Sequence, residues 1–447
     1  MQRLTEGSIE YSDHVVVGSK LKELHLSNLR KLEHVWSIAD SGRILSFHDL
    51  DSVEVKKCGS LKYLFPPSVA KVLYSLSKLV IEDNRRLEDI VTATVNEEVE
   101  TAADTLEFVF PRATHLRLCG LPGLKSFYQR RHISKWPSLE KLQINHCDSI
   151  QNLFSEIDLF QDAPGNGVGS PNSQQTGLFL VDKVSFLYLE SLEISEMNRL
   201  VTLFPSGTAC SFQNLEVLKI GTCSALEVVY EIEENAGSDL SVTKLKKLSL
   251  TDLANLQHIW RRDPRGILSF QNLSSVTVMG CSSLGYLFHA SVAKALVQLV
   301  ELEVRDSSLE VVAAEDKGVP PASVLEFVFP RATKLELSDL PQLKSFYPGK
   351  YISRWPSLRE LMISKSSKVE IFAFDSKKSQ AVTRNGNQAE QPLLLVDKGT
   401  FSNVETLHMQ HNDNMRQIIW SGRHRPNLTC FSSGVHFHFA NLTTSES

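Results

Sequence analysis

The chain has 447 residues, 42% of them hydrophobic, with 47 Lys and Arg against 52 Asp and Glu for a formal net charge of −5. This composition is too apolar for a disordered chain and lacks the positive excess with which a basic face grips nucleic acid. No run of about 18 uncharged apolar residues is present to span a bilayer, Met1-Gln-Arg-Leu-Thr-Glu-Gly lacks the apolar stretch of a signal peptide, and the seven cysteines suggest reduced thiols. The expected setting is therefore the cytoplasm, with the nucleus or a peripheral membrane site as alternatives.

After a lead-in over residues 1–20, a leucine spacing begins at Leu21 and recurs at Phe47, Leu76, Ala113, Leu139, Leu189, Leu215, Leu245, Phe270, Leu299, Ala332, Leu358 and Val404. Its clearest instance is Leu139-Glu-Lys-Leu142-Gln-Ile144-Asn-His-Cys147-Asp-Ser-Ile150, which reads as L-x-x-L-x-L-x-x-C/N-x-x-L, a leucine-rich repeat. About thirteen repeats, many about 26 residues apart, predict an α/β solenoid of horseshoe form. Its concave face would be a parallel sheet and its convex side irregular or short-helical. In each unit the two residues of L-x-L point inward and their neighbours outward, and only stacking can bury that inward pair.

Three positions after the central aliphatic residue of the strand the chain uses Cys58, Cys147, Cys223 and Cys281, or Asn84 and Asn412, or Leu29, Leu121, Leu253 and Leu340. A polar side chain there can satisfy backbone groups at the turn, whereas Leu extends the core. The cysteines recur once per repeat rather than as C-x-x-C pairs, so they read as buried thiols and not as metal ligands. Ser68-Val-Ala-Lys-Val-Leu and Ser291-Val-Ala-Lys-Ala-Leu are the helix candidates of the return segments, each with a serine placed to cap the first turn. Stretches 161–177 and 376–391, rich in Gly, Ser, Asn and Gln, read as mobile loops.

A longer period overlies the repeats. Leu106 to Tyr128 and Leu325 to Tyr347 agree at 18 of 23 positions, which points to tandem duplication of a block of about seven repeats. The first copy would span residues 21–240 and the second 241–420, leaving 421–447 as a tail without repeat pattern. Missing end caps suggest a fragment of a longer protein.

The five differences in the matched segment are His115/Lys334, Arg117/Glu336, Cys119/Ser338, Gly120/Asp339 and Gly123/Gln342. In the next repeat Glu140, Lys141, Gln143 and Asn145 become Arg359, Glu360, Met362 and Ser364, while Trp136, Leu139, Leu142 and Ile144 keep their counterparts. Held core and rewritten outward face make the concave surface the candidate protein-binding site. It comprises His115, Arg117, Glu140, Lys141, Gln143, Glu190, Glu193 and Lys219 in the first copy, and Lys334, Glu336, Arg359, Glu360, Met362 and His408 in the second. Free drift of solvent-facing residues is the competing explanation, supported by Gln129-Arg-Arg-His becoming Pro348-Gly-Lys-Tyr on the other side.

No phosphate loop, G-x-S-x-G elbow, H-E-x-x-H or post-strand G-x-G-x-x-G occurs, and His436 and His438 are too sparse for a metal site. No enzyme activity, cofactor or metal is expected. The C-type repeats VKKCGSLKYLF, INHCDSIQNLF and VMGCSSLGYLF, alternating with LSNLRKLEHVW and LTDLANLQHIW, resemble the repeat region of plant coiled-coil nucleotide-binding leucine-rich-repeat disease resistance proteins. The resemblance implies a defence role, in which the repeats sense a pathogen effector or a guarded host protein and restrain the nucleotide-binding domain of the same receptor. Because that family's phosphate loop and latch motif are not in this chain, a stand-alone adaptor or decoy scaffold is the alternative.

Overall fold

The computed structural model describes residues 17–36, 45–93, 106–130, 132–156, 177–181, 185–232, 241–315, 324–375, 392–396, 403–415, 417–420, 427–430 and 436–439. The two stretches expected to be mobile lie outside these, apart from Gly177.

One sheet of fourteen strands organises the molecule, ordered strictly along the chain. All its pairs are parallel and keep one register: Leu24 sits beside Val53, Val53 beside Leu79, Leu79 beside Leu116, and so on to Leu361 beside Leu407. Each of the thirteen expected repeats supplies one five-residue strand, from Glu23–Ser27 to Thr406–Gln410. In most strands the second and fourth residues are buried and the first, third and fifth stand out, as in His115–Cys119, Lys141–Asn145 and Ser275–Met279; Val80 and Glu336 are buried at the third position. Leu142 and Ile144, wholly buried, each contribute about 1.5–3 kcal/mol, and the neighbours above and below supply the burial.

The tail contributes Asn427–Cys430 as the fourteenth strand, paired in parallel with Thr406–Met409, and His436–Phe439 pairs with Gln417–Trp420. The sheet template thus extends backbone pairing past the last recognisable leucine spacing.

The convex side is more ordered than irregular. Short parallel ladders run along it, such as Tyr63–Phe65, Asp89–Val91 and Ser126–Tyr128, or Thr202–Phe204, Val228–Tyr230 and His258–Trp260. The two expected helices form but are shorter, Pro67–Ala70 and Ala290–Ala295, and begin one residue earlier. The serines do not cap them. Pro66 and His289 occupy the cap positions without a side-chain bond, and Ser291 donates its hydroxyl to Asp263. Between sheet and ladders, aromatic rings fill the core: Phe110 stacks on Trp136 at 4.2 Å and Phe329 on Trp355 at 4.1 Å.

The residue after each five-residue strand is left-handed. It is Asn28, Lys57, Asp83, Gly120, His146, Glu196, Thr222, Asp252, Gly280, Asp306, Asp339, Lys365 and His411 in turn, with φ between 47° and 66°. This residue swings the chain off the sheet. The position after it is where the cysteines and asparagines fall, and it clasps repeat to repeat. Asn84, fully buried, accepts from the Cys58 amide at 2.7 Å and donates to the Val55 carbonyl at 2.9 Å; Asn412 does the same for Ser366 and Ile363 at 2.9 and 3.0 Å. The four turn cysteines are buried and donate to strand carbonyls, Cys223 to Gly221 at 3.4 Å and Cys281 to Met279 at 3.6 Å. Burial pushes three of these thiols up, to about 12 for Cys147 and Cys281 and about 11 for Cys223, so those three are neutral core residues.

Removing the Asn84 clasp strands two buried backbone groups, each worth about 1–3 kcal/mol. Asn84→Ala should therefore lower the urea midpoint well beyond the change for an exposed neighbour such as Arg86→Ala. Equal midpoints for the two variants would count against a structural role for the clasp.

Buried Asp89 gives a second check. Burial pushes its carboxyl above the usual range, and bonds from Ser126 and Gln129, both at 2.5 Å, only partly oppose this. A raised folded-state value means stability that is present at acid pH and lost as pH rises. Asp89→Asn should thus be more stable than the parent at neutral pH, with the gap closing as pH falls through the carboxylate range in paired thermal melts.

Candidate functional site

The common register aligns the third residue of every strand into one row down the concave face. From the N-terminal end it reads His25, Glu54, Val80, Arg117, Gln143, Glu193, Lys219, Ser249, Thr277, Glu303, Glu336, Met362 and His408. Seven of the candidate residues lie in this row. His115 and Lys141, and Lys334 and Glu360, are paired first-position residues of neighbouring strands. Glu140, Glu190 and Arg359 immediately precede strands, where their carbonyls accept the amides that open the next strand, as Arg359 does for Glu405 at 2.9 Å.

The fold therefore gathers the candidates into two groups. One covers the four strands from His115–Cys119 to Val217–Gly221, and the other the three from Lys334–Ser338 to Thr406–Gln410. Between them the third-position residues are Ser249 and Thr277, both small and uncharged, followed by Glu303.

A continuous polar chain runs into the first group from the two strands before it, Ser52–Lys56 and Lys78–Glu82. Lys78 reaches Glu54 at 2.5 Å, Lys56 lies 3.4 Å from Glu54 and 3.3 Å from Glu82, and Arg117 Nε meets Glu82 at 2.6 Å. Arg117 Nη1 donates to Gln143 at 2.7 Å, Gln143 Nε2 donates to Glu193 at 2.7 Å, and Lys219 closes the chain on Glu193. For Glu82, partial burial favours the neutral acid, but Arg117 and Lys56 outweigh it and hold the carboxyl below its usual range.

The second group carries a compact cluster. Arg305 Nη2 donates to Glu336 at 2.9 Å, Arg305 Nε lies 2.9 Å from Glu303, and Lys334 is 3.4 Å from Glu336 and 3.6 Å from Glu303. Glu336 is only 3% exposed. Its burial would raise the carboxyl, and Arg305 and Lys334 overcome that and depress it.

Sequence reasoning found Arg117 and Glu336 but missed their partners Glu82 and Arg305. Those are fifth-position residues of the preceding strands, and the ion pairs show that the fifth position reaches the third across one strand spacing. The arrangement has a consequence for the charge reversal. Glu82 and Arg117 in one block become Arg305 and Glu336 in the other, at 2.6 and 2.7 Å between Nε and Oε1. The acid and the base have traded places, so this reversal is balanced inside the chain. By contrast, Lys141 and Glu360 are exposed, with no ion-pair partner among the described residues.

A double-mutant cycle tests the exchange. Arg117→Glu alone should destabilise by placing Glu beside Glu82, and adding Glu82→Arg should restore most of the loss. The coupling expected for so exposed a pair is about 0.5–1 kcal/mol in urea titrations. Additive effects would mean the pair is not formed in solution.

Among the described residues no group of His, Cys, Asp and Glu is arranged to hold a metal, and no helix is long and apolar enough to cross a membrane. The model for leucine-rich repeats of plant disease resistance protein RPS2-like sequences matches residues 2–85, 72–157 and 173–308, well over half of the chain. No curated protein matches it. Among solved structures it is similar to the one described as a crystal structure of a TLR13–ssRNA13 complex, with 14% identity and a TM-score of 0.32, covering 82% of this chain and 47% of that one. The chain thus spans about half the length of that protein.

Proposed function

Starting from the fact that the chain belongs to the leucine-rich-repeat family of plant disease resistance protein RPS2-like sequences, we propose that it is a non-catalytic recognition module acting in defence in the cytoplasm. Its concave sheet would bind a protein, either a pathogen effector or a guarded host protein. Within a longer receptor the same repeats would also contact the nucleotide-binding domain. A long concave parallel sheet on a rigid stack is the surface such solenoids offer to partners.

One observation carries this reading: the uncompensated part of the charge inversion. Glu140-Lys141 becomes Arg359-Glu360, and Lys141 and Glu360 project from the first position of their strands into solvent. Neutral drift under the demands of folding accounts for the Arg117 and Glu336 exchange, because the neighbour changes with it. At Lys141 and Glu360 no neighbour within the chain sets the charge; contact with different parts of a partner would set it, and unconstrained drift is the alternative that the variants below test.

The test follows the same division. Lys141→Glu combined with Glu360→Lys changes only free charges, so the circular dichroism spectrum and melting temperature should stay as they are. Extracts of infected and healthy plant tissue would be passed over the immobilised parent, this variant, and Lys125→Ala on the convex side. A protein held by the parent and by Lys125→Ala but released by the double variant is the expected result. Identical captured sets from all three would remove the concave face from the proposal. In the combined alanine variant of Arg117, Glu336, Lys141 and Glu360, binding should be lost together with some stability, because two of those residues hold ion pairs.

A further inference from the structure

The turns that follow the first five concave strands enclose a groove of about 700 Å³ along the edge where those strands end. Its walls carry Arg30, Lys57, Arg85 and Arg86, with His146 at the far end and Asp83 as the one carboxylate. All four cations are exposed, and none enters an ion pair among the described residues. That sets them apart from the cations of the concave face, most of which are spent on neighbouring carboxylates. His146 is held by Glu196 at 3.0 Å.

Two features make this edge more than a scatter of surface charge. First, its backbone is fixed. Lys57 directly precedes Cys58 and Arg85 directly follows Asn84, so the buried clasp of Asn84 on the Cys58 amide and the Val55 carbonyl holds both basic residues at a set separation. Second, the chain contains its own control. At the matching edge of the second block the counterparts of Arg30, Lys57 and Arg85 are Ala254, Gly280 and Ser308, and Arg86 has no counterpart. Lys31 and Lys62 nearby correspond to Asn255 and Gly285. The clasp survives there, with Ser307 accepting from the Cys281 amide at 3.3 Å, but the charge is gone. The turn architecture therefore does not require the cations.

We propose that this edge groove binds an acidic peptide segment of a partner protein, at a site separate from the concave face. A groove with several fixed, unneutralised cations suits a run of carboxylates, each able to take charge-assisted bonds from Arg. Single-stranded nucleic acid is the less suitable polyanion, because apart from the His146 imidazole the walls offer no aromatic ring on which bases could stack. The chain's net charge of −5 also repels a long polyanion while leaving a short acidic segment able to dock.

The probe is a short fluorescein-labelled oligoglutamate, followed by anisotropy with the whole chain at about 50 mM and about 300 mM NaCl. The comparison variant imports the second-block residues Arg30→Ala, Lys57→Gly and Arg85→Ser. Glycine relieves the left-handed lysine at position 57, so folding is expected to persist, as circular dichroism would verify. Binding by the parent that weakens in salt and falls at least about ten-fold in the variant supports the groove. Absent binding, or equal binding by parent and variant, overturns it. An oligothymidylate that binds more tightly than oligoglutamate and displaces it would overturn the peptide assignment in favour of nucleic acid. None of these outcomes depends on the concave-face variants, so either reading can fail alone.

Discussion

Every repeat leaves the sheet through a single residue with positive φ, and the rest of the molecule depends on that exit. The left-handed step reverses the chain after five strand residues, so each strand meets its neighbour with the same residue opposite the same residue. Gly120 and Gly280 adopt it freely and Asn28, Asp83, Asp252, Asp306 and Asp339 tolerate it, whereas residues such as Lys57, Thr222 and Lys365 hold it against an intrinsic penalty of about 1 kcal/mol. At Gly120 a side chain would have to share space with Asp83, whose carboxylate lies 2.5 Å from where a Cβ would stand. The strain is offset by what the turn secures: wholly buried Leu, Ile and Val pairs on the inner side, and the clasps of Asn84, Ser307 and Asn412 on the next turn.

A fixed register turns the concave face into a surface addressed by position. Third-position residues form one row and fifth-position residues the next, so a change of charge is felt by a small, defined set of neighbours. The exchange of Glu82 and Arg117 for Arg305 and Glu336 follows from that geometry. Outward residues are therefore of two kinds. Some are bound into the ionic row, and their identity is a matter of internal balance. Others, such as Lys141, Glu360 and the cations of the edge groove, stand free, and their identity is open to selection by something outside the chain.

Much of this was legible in the sequence. The inward pairs Leu142 and Ile144, Leu335 and Leu337, and all thirteen expected strands follow from period-two alternation, because burial admits no other pattern. The outward strand positions, where Arg117, Gln143 and Met362 fall, alternate with these pairs for the same reason. Three things were not legible. The strand Asn427–Cys430 lacks the full leucine spacing and is recruited by the sheet edge before it. The convex ladders arise from stacking of turns that show no alternation of their own. The partners of Arg117 and Glu336 depend on the reach of long side chains between adjacent strands, a distance that no single repeat encodes. The edge groove is not legible because its cations lie on three turns far apart in the chain, at Arg30, Lys57 and Arg85-Arg86, and only stacking brings them together.

The traded ion pair also bears on how the chain assembles. Two blocks that share a segment with 18 of 23 residues identical are each other's most plausible wrong partner during folding. If the strand His115–Cys119 docked on Glu301–Arg305 in place of Lys78–Glu82, Arg117 would face Arg305; the reciprocal error would set Glu336 against Glu82. Each mistake brings like charges together at a contact where the native order has opposite ones. The exchange thus gives each strand a polarity by which it accepts its own predecessor and rejects the copy.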